Sequence, residues 1–222
     1  MLSQHCVVGV ALGDGFTLAV IDAGAVFSFG QSVHGALSQG YSMSEVLPRR
    51  VKALAATGLR FVAVAAGNCY SLALTEEGLV YGWGGLLANG HGQSHDQNTP
   101  QLVAALAGEQ VIKLVYARGC SENSEIYIWS DFPNSFQGDA TLQKTPTRVE
   151  ALRRVKVRRA AVCGTHALVA DVDGVVWAFG IADALPGRSV GQLIAPSQIF
   201  ACGPSNRHLT YTASDRRRTM FA

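Results

Sequence analysis

The 222-residue sequence predicts an all-β chain, a propeller-type repeat array of about four blades. Three observations lead there. Short apolar runs rich in Val, Ile, Phe, Tyr and Trp alternate with turns, as strands prefer. The 24 glycines are spread along the chain rather than clustered. Two landmarks recur with one spacing pattern: an aromatic residue near a small residue at positions 30, 84, 130 and 180, and a proline at 48, 100, 146 and 196. The steps are 54, 46 and 50 for the first and 52, 46 and 50 for the second. A fixed period of this size marks a repeat architecture.

Each repeat presents its elements in one order. A glycine first closes an apolar run, at Gly13, Gly67, Gly119 and Gly164. A strand follows: Phe16-Thr-Leu-Ala-Val20, Tyr70-Ser-Leu-Ala-Leu74 and His166-Ala-Leu-Val-Ala170, with the third copy disrupted at 120–125. An acidic turn then ends in Gly24, Gly78 or Gly174. Such a turn between β-prone runs is a tight hairpin, because glycine takes positive φ without a Cβ penalty. The next strand carries its aromatic close to its end: Phe29, Trp83, Trp129 and Phe179. Last, Pro48, Pro100, Pro146 and Pro196 stand three residues before Val51, Val103, Val149 and Ile199. Proline cannot donate to a ladder, so these positions belong at strand starts or sheet edges. One such sheet has too little core to stand alone, and stacking copies buries its faces. The expected organisation is a single repeat domain over 1–222, with repeats at 7–59, 60–109, 110–154 and 155–198 and a partial copy at 199–222.

Hydrophobic residues make up 48% of the chain and charged residues 15%, which supports a sizeable core and excludes wholesale disorder. Charge is unevenly placed. Residues 1–152 carry 8 Lys/Arg against 12 Asp/Glu, whereas residues 153–222 carry 10 against 4. The densest cluster is Arg153, Arg154, Lys156, Arg158 and Arg159. On a strand, Val155 and Val157 would face one side and Arg154, Lys156 and Arg158 the other. That basic ridge suits an acidic protein or phosphates. No aromatics are interleaved to stack bases, which favours the protein over nucleic acid.

The five cysteines form no CxxC pair and are a poor disulfide framework, so a reducing compartment is expected. The N-terminus has no basic segment before an apolar one, and no long apolar run reads as a membrane span. The expected location is intracellular, cytoplasmic or nuclear. His91 and His95 stand four apart beside Asp96, but that spacing makes a metal site on a helix, and this glycine-rich stretch is a loop. Both histidines are therefore candidates for partner contact. No phosphate loop, GxGxxG helix opening or GxSxG elbow is present, so neither an enzyme nor a cofactor is expected.

The string Val64-Ala-Ala-Gly67-Asn-Cys-Tyr70-Ser-Leu-Ala-Leu-Thr-Glu-Glu-Gly78-Leu-Val-Tyr-Gly-Trp-Gly84 resembles the repeat of the regulator of chromosome condensation family. Residues 155–180 resemble it well, 7–30 fairly, and 110–130 mainly through Ile126-Tyr-Ile-Trp129. The resemblance implies a β-propeller whose family members close about seven blades, so about four here leave open edges. A capping partner or self-association is expected, with contacts in the loops 31–47, 85–99, 131–145 and 181–195. The implied function is a non-enzymatic protein-interaction scaffold. Two alternatives stand beside it: a guanine-nucleotide exchange factor for a small GTPase, and a subunit of a larger assembly contacting nucleic acid through its basic C-terminal half.

Overall fold

A computed structural model describes residues 4–39, 44–85, 89–92, 95–115, 118–121, 126–129, 145–163, 166–181, 193–201, 211–214 and 218–221. The chain divides into two compact units, 1–122 with 144–146, and 123–143 with 147–222.

The first unit holds two four-stranded antiparallel sheets in simple sequence order. One is β1 (Val7–Leu12), β2 (Phe16–Ile21), β3 (Val26–Gly30) and β4 (Glu45–Arg50); the other is β5 (Phe61–Ala66), β6 (Tyr70–Thr75), β7 (Val80–Gly84) and β8 (Gln97–Leu102). A further pair, β9 (Val111–Val115) and β10 (Arg118–Ser121), completes it. The second unit contains the pair β11 (Ile126–Ile128) and β12 (Thr147–Arg148) and a four-stranded sheet. That sheet is β13 (Val157–Cys163), β14 (His166–Asp171), β15 (Val175–Ile181) and β16 (Leu193–Ala201). A hairpin, β17 (Tyr211–Ser214) and β18 (Arg218–Phe221), follows.

The apolar runs lie in the middle strands, where both faces are covered: Leu18, Ala19 and Val20, and Leu72, Ala73 and Leu74, are all buried. Pro48 and Pro100 lie in β4 and β8, the last strands of their sheets, where a missing N–H leaves no ladder bond unmade. The repeat aromatics Trp83, Trp129 and Phe179 are fully buried, and Phe29 is half-buried. Gly67 is imposed by close approach: a Cβ there would stand 2.0 Å from the Tyr70 ring, and Gly13 meets Phe16 in the same way. Gly164 lies outside the described residues.

After Pro48, Pro100 and Pro146 comes a feature the sequence analysis missed. The N–H groups of Val51, Val103 and Val149 donate to the carbonyls of Val26, Val80 and Ile126, at 2.9, 2.8 and 2.8 Å. A short helical turn then buries Leu54, Leu106 and Leu152. Val-x-x-Leu is thus a further landmark of the repeat, with both apolar residues turned inward. The first strand of each four-stranded sheet also carries one extra residue: Val8, Val62 and Arg158 fall where the pairing with the next strand shifts register.

Neighbouring sheets of the first unit join through shared core and buried polar bonds. Phe16, Leu18, Val20, Leu37, Val51 and Leu54 cluster with Phe61, Ala66, Ala73 and Trp83. The carbonyl of Gly24 accepts from the N–H of Phe61, and that of Gly78 from the N–H of Val111. Residues 32–38 leave β3 and press Ala36 and Leu37 into the seam, both fully buried. The Ala36 carbonyl accepts the Trp83 indole N–H at 2.7 Å and the Ser71 hydroxyl at 2.8 Å. The Leu37 carbonyl accepts the Ser28 hydroxyl at 2.7 Å. In the second sheet the place of Ser28 is taken by Gly82, and a Cβ there would stand 2.0 Å from the Asn89 carbonyl oxygen. Ser38 has φ 53°, where its counterpart Gly90 has φ 89°, and its buried hydroxyl has no hydrogen-bond partner.

These contacts set three expectations for urea unfolding. Gly78→Ala places a side chain at φ +83° and 2.9–3.0 Å from Gln110, and should destabilise by about 2 kcal/mol. Ser38→Gly relieves a left-handed residue and removes a buried unmade bond, and should stabilise by about 1 kcal/mol. Trp83→Phe keeps the ring but deletes the donor to Ala36, and should cost about 1–2 kcal/mol.

Candidate interaction surface

In the first unit, the described residues 31–39 after β3 are mostly interior. Ser32, Gly35, Ala36, Leu37 and Ser38 are buried, leaving Gln31, Val33 and His34 at the surface. Among the described residues of 31–47, the expected contact positions are therefore these and the exposed Ser44, Val46 and Leu47. His34 bridges to the second sheet, its Nδ1 lying 2.8 Å from Asp96 Oδ2. Gly35 lets the loop settle on Asn98, since a Cβ would meet the Asn98 amide oxygen at 2.2 Å. No sequence pattern pairs His34 with Asp96 across 62 residues. The small-apolar step Gly35-Ala36-Leu37 in a polar loop was the available sign that this segment turns inward.

His91 and His95 are separated by role. His91 is half-buried, and its Nε2 lies 3.0 Å from the Gly82 carbonyl, the geometry of a donated ring N–H. Its backbone N–H donates to Asn89 Oδ1 at 3.1 Å. Gln39, at the corresponding place in the first sheet, reaches Ser28 with its side-chain amide at 3.1 Å. His91 thus holds its loop against β7. His95 is exposed, and its neighbour Asp96 is engaged by His34. Among the described residues no group of three or more His, Cys, Asp and Glu could hold a metal ion. The loops 131–145 and 181–195 lie almost wholly outside the described residues.

The basic cluster belongs to the second unit. Leu152 is buried and anchors the 3-10 turn Glu150–Leu152, from which Arg153 and Arg154 emerge in a hydrogen-bonded turn. The N–H groups of Arg153 and Val155 donate to Glu150 and Leu152 at 3.1 and 2.9 Å. The Lys156 carbonyl accepts the Val172 N–H at 2.9 Å, which ties the segment to the β14–β15 hairpin. That hairpin is itself fastened by Asp171. Its carboxylate accepts the N–H groups of Asp173 and Val175 and the Trp177 indole N–H, at 3.0, 2.8 and 3.2 Å.

Arg153, Arg154, Lys156, Arg158 and Arg159 are all exposed, and Val155 and Val157 between them are half-buried. The strand alternation expected over 153–159 applies only from Val157, where β13 begins; the residues before it lie in a turn and a connector. Arg158 is the extra residue between the pairs Val157–Asp171 and Arg159–Ala170, so two successive arginines stay at the surface. Arg153 and Arg154 line a cleft of about 500 Å³ with Glu150 and Ala151. The Glu150 carboxylate there is also paired with Arg148 at 2.6 Å, so positive charge exceeds negative in this patch. No helix among the described residues is long and apolar enough to cross a membrane.

The family model for the regulator of chromosome condensation repeat matches residues 23–74 and 61–93. The chain is 35% identical over 177 residues to the E3 ubiquitin-protein ligase HERC2 of Homo sapiens, covering 75% of this chain and 4% of the ligase. It is 28% identical over 203 residues to the ultraviolet-B receptor UVR8 of Arabidopsis thaliana, covering 88% of this chain and 44% of the receptor. Among solved structures, human WBSCR16 superposes with TM-score 0.76 at 24% identity, covering 93% of this chain and 56% of that one. Prp20p of Saccharomyces cerevisiae gives 0.75 at 21%, covering 92% and 51%. The chain thus spans about half of these structures and less than half of the sequence relatives. With repeated four-stranded antiparallel sheets, the matched repeat segments and these neighbours, the chain is a β-propeller-type repeat protein of the regulator of chromosome condensation kind.

Proposed function

We propose that the chain is a non-enzymatic protein-interaction scaffold, and that its basic turn, Arg153, Arg154, Lys156, Arg158 and Arg159, receives an acidic segment of a protein partner. The observation that carries this is five exposed cations within seven residues on a backbone held at both ends. Leu152 and the Glu150 carbonyl fix one end, and the hairpin at Asp171 fixes the other. Charges on a fixed frame lose little conformational freedom on binding, and they steer an oppositely charged partner into register. Protein binding also accords with the fold neighbours. The yeast protein Prp20p is described with binding properties to Gsp1p and histones, and in complex with Kap60. The ligase relative supports no catalytic assignment, because the matched part is 4% of its length.

Fluorescence anisotropy with a labelled poly-glutamate peptide and a labelled single-stranded RNA tests the proposal. The expected result is binding of the peptide at moderate salt. Replacing Arg153, Arg154 and Arg158 together by Glu should weaken it about tenfold or more. Tighter binding of the RNA, with a steep salt dependence that the same substitutions flatten, would replace the acidic partner by nucleic acid. Unchanged peptide binding by the triple variant would overturn the role of the turn.

A further inference from the structure

The first sheet departs from the second at one corner, where β4 turns into the helical turn at Leu54. Pro48 and Pro100 align, so Arg49, Arg50 and Lys52 stand where the second sheet has Gln101, Leu102 and Ala104. Three of the 8 Lys and Arg residues of 1–152 thus fall within four successive positions, and all three are exposed. Arg49 pairs with Glu45 at 2.6 Å, whereas Arg50 and Lys52 make no ion pair among the described residues. The three cations line a cleft of about 460 Å³ together with Ser38 and Gln39 of the inward loop and Thr99 of β8. Ser38 is only 7% exposed, and its hydroxyl has no hydrogen-bond partner. Its counterpart Gly90 has no side chain, so the second sheet reproduces neither the cations nor the hydroxyl.

We propose that this cleft is a binding site for a phosphate monoester. Charge selects the ligand class. The three cations less the Glu45 carboxylate leave an excess of two positive charges. A phosphate monoester carries about −1.5 to −2 at neutral pH and balances that excess. A carboxylate or a nucleic-acid diester brings a single charge and does not. Donor chemistry agrees with charge. Guanidinium groups present forked N–H donors that match phosphate oxygens, and an ammonium adds a compact point charge. The hydroxyls of Ser38 and Thr99 stand on the same walls. A buried hydroxyl without a partner costs folding free energy, and a phosphate oxygen in the cleft supplies the acceptor that Ser38 lacks. Ser38 also holds φ 53°, a conformation that glycine takes more readily, so the chain keeps a side chain here against its own stability. The frame is fixed. The Val51 N–H donates to the Val26 carbonyl at 2.9 Å and Leu54 is buried, which sets the cations, while the Gln39 amide on Ser28 sets the loop. The cleft belongs to the first unit and the basic turn to the second, so either assignment can fail alone.

Fluorescence anisotropy with a labelled glycine–alanine peptide bearing one phosphoserine, and with its unphosphorylated form, decides it. The wild-type chain should bind the phosphorylated peptide alone. Arg50→Gln with Lys52→Gln should weaken that binding by about tenfold or more, with an unchanged circular dichroism spectrum because both side chains are exposed. Ser38→Gly should also weaken it while raising the urea midpoint of the chain, a combination that a purely structural serine would not give. The Arg153, Arg154 and Arg158 triple variant should bind like the wild type. Inorganic phosphate then separates the sources of the ligand. Displacement of the peptide means that a free phosphate fills the site, and resistance to displacement means that a phosphorylated protein does. Absence of binding by the wild-type chain would overturn the proposal, as would equal binding of the two peptides. So would full-strength binding by either cleft variant, or binding lost only in the triple variant.

Discussion

The Ala36 carbonyl is where two sheets of the first unit become one structure. It takes both an indole N–H from Trp83 and a hydroxyl from Ser71, so each donor of the second sheet is satisfied only when the loop of the first is in place. The backbone bonds from Phe61 to Gly24 and from Val111 to Gly78 repeat the logic at the hairpin end. Apolar contact alone is non-directional and would tolerate sliding. Buried polar groups are costly when unmatched in a low-dielectric interior, so these bonds set the relative position of the sheets while the core around Phe16, Val51 and Leu54 supplies the attraction. The hairpin glycines follow from this constraint, because any side chain at Gly24 or Gly78 would strike the residues that begin the next sheet.

Within that frame, one structural task is done by different chemistry from repeat to repeat. Ser28 binds the inward loop with its hydroxyl, whereas Gly82 yields its side-chain volume to the loop itself. Gln39 and His91 both return from the loop to the third strand, one through an amide and one through an imidazole. A histidine in a glycine-rich loop invites a chemical role, but here it replaces a glutamine. The same comparison separates function from frame. Residues that have a counterpart doing the same job in another sheet belong to the scaffold. Positions that depart from their counterparts, such as the arginines at the β13 bulge and the bare valines of β1, are where this chain differs from its own repeat.

The basic turn and the β1 face are made by the same local device used in opposite ways. An extra residue in the first strand forces an outward side chain: Arg158 in one sheet, Val8 in another. With arginine the strand gains charge that keeps it solvated and suits an acidic partner. With valine it keeps an apolar surface that resembles the interior of a seam. Neither choice disturbs the pairing behind it, since the bulge leaves the following register intact.

Most of the fold was legible in the sequence because its signals are local. Hairpin glycines, strand aromatics and edge prolines act within a few residues of themselves, and their recurrence revealed the repeat without knowledge of any contact. The exposed cations at 153–159 were legible for the same reason, since charge density is a property of the string. The inward loop at Ala36, the His34–Asp96 bridge and the structural duty of His91 were not, because each depends on residues brought together from adjoining sheets or folded back across a loop. Burial decided the rest. Val10 and Val64 are the same residue in the same place of the repeat, and only the presence or absence of a packed neighbour half-buries one against the core and leaves the other exposed.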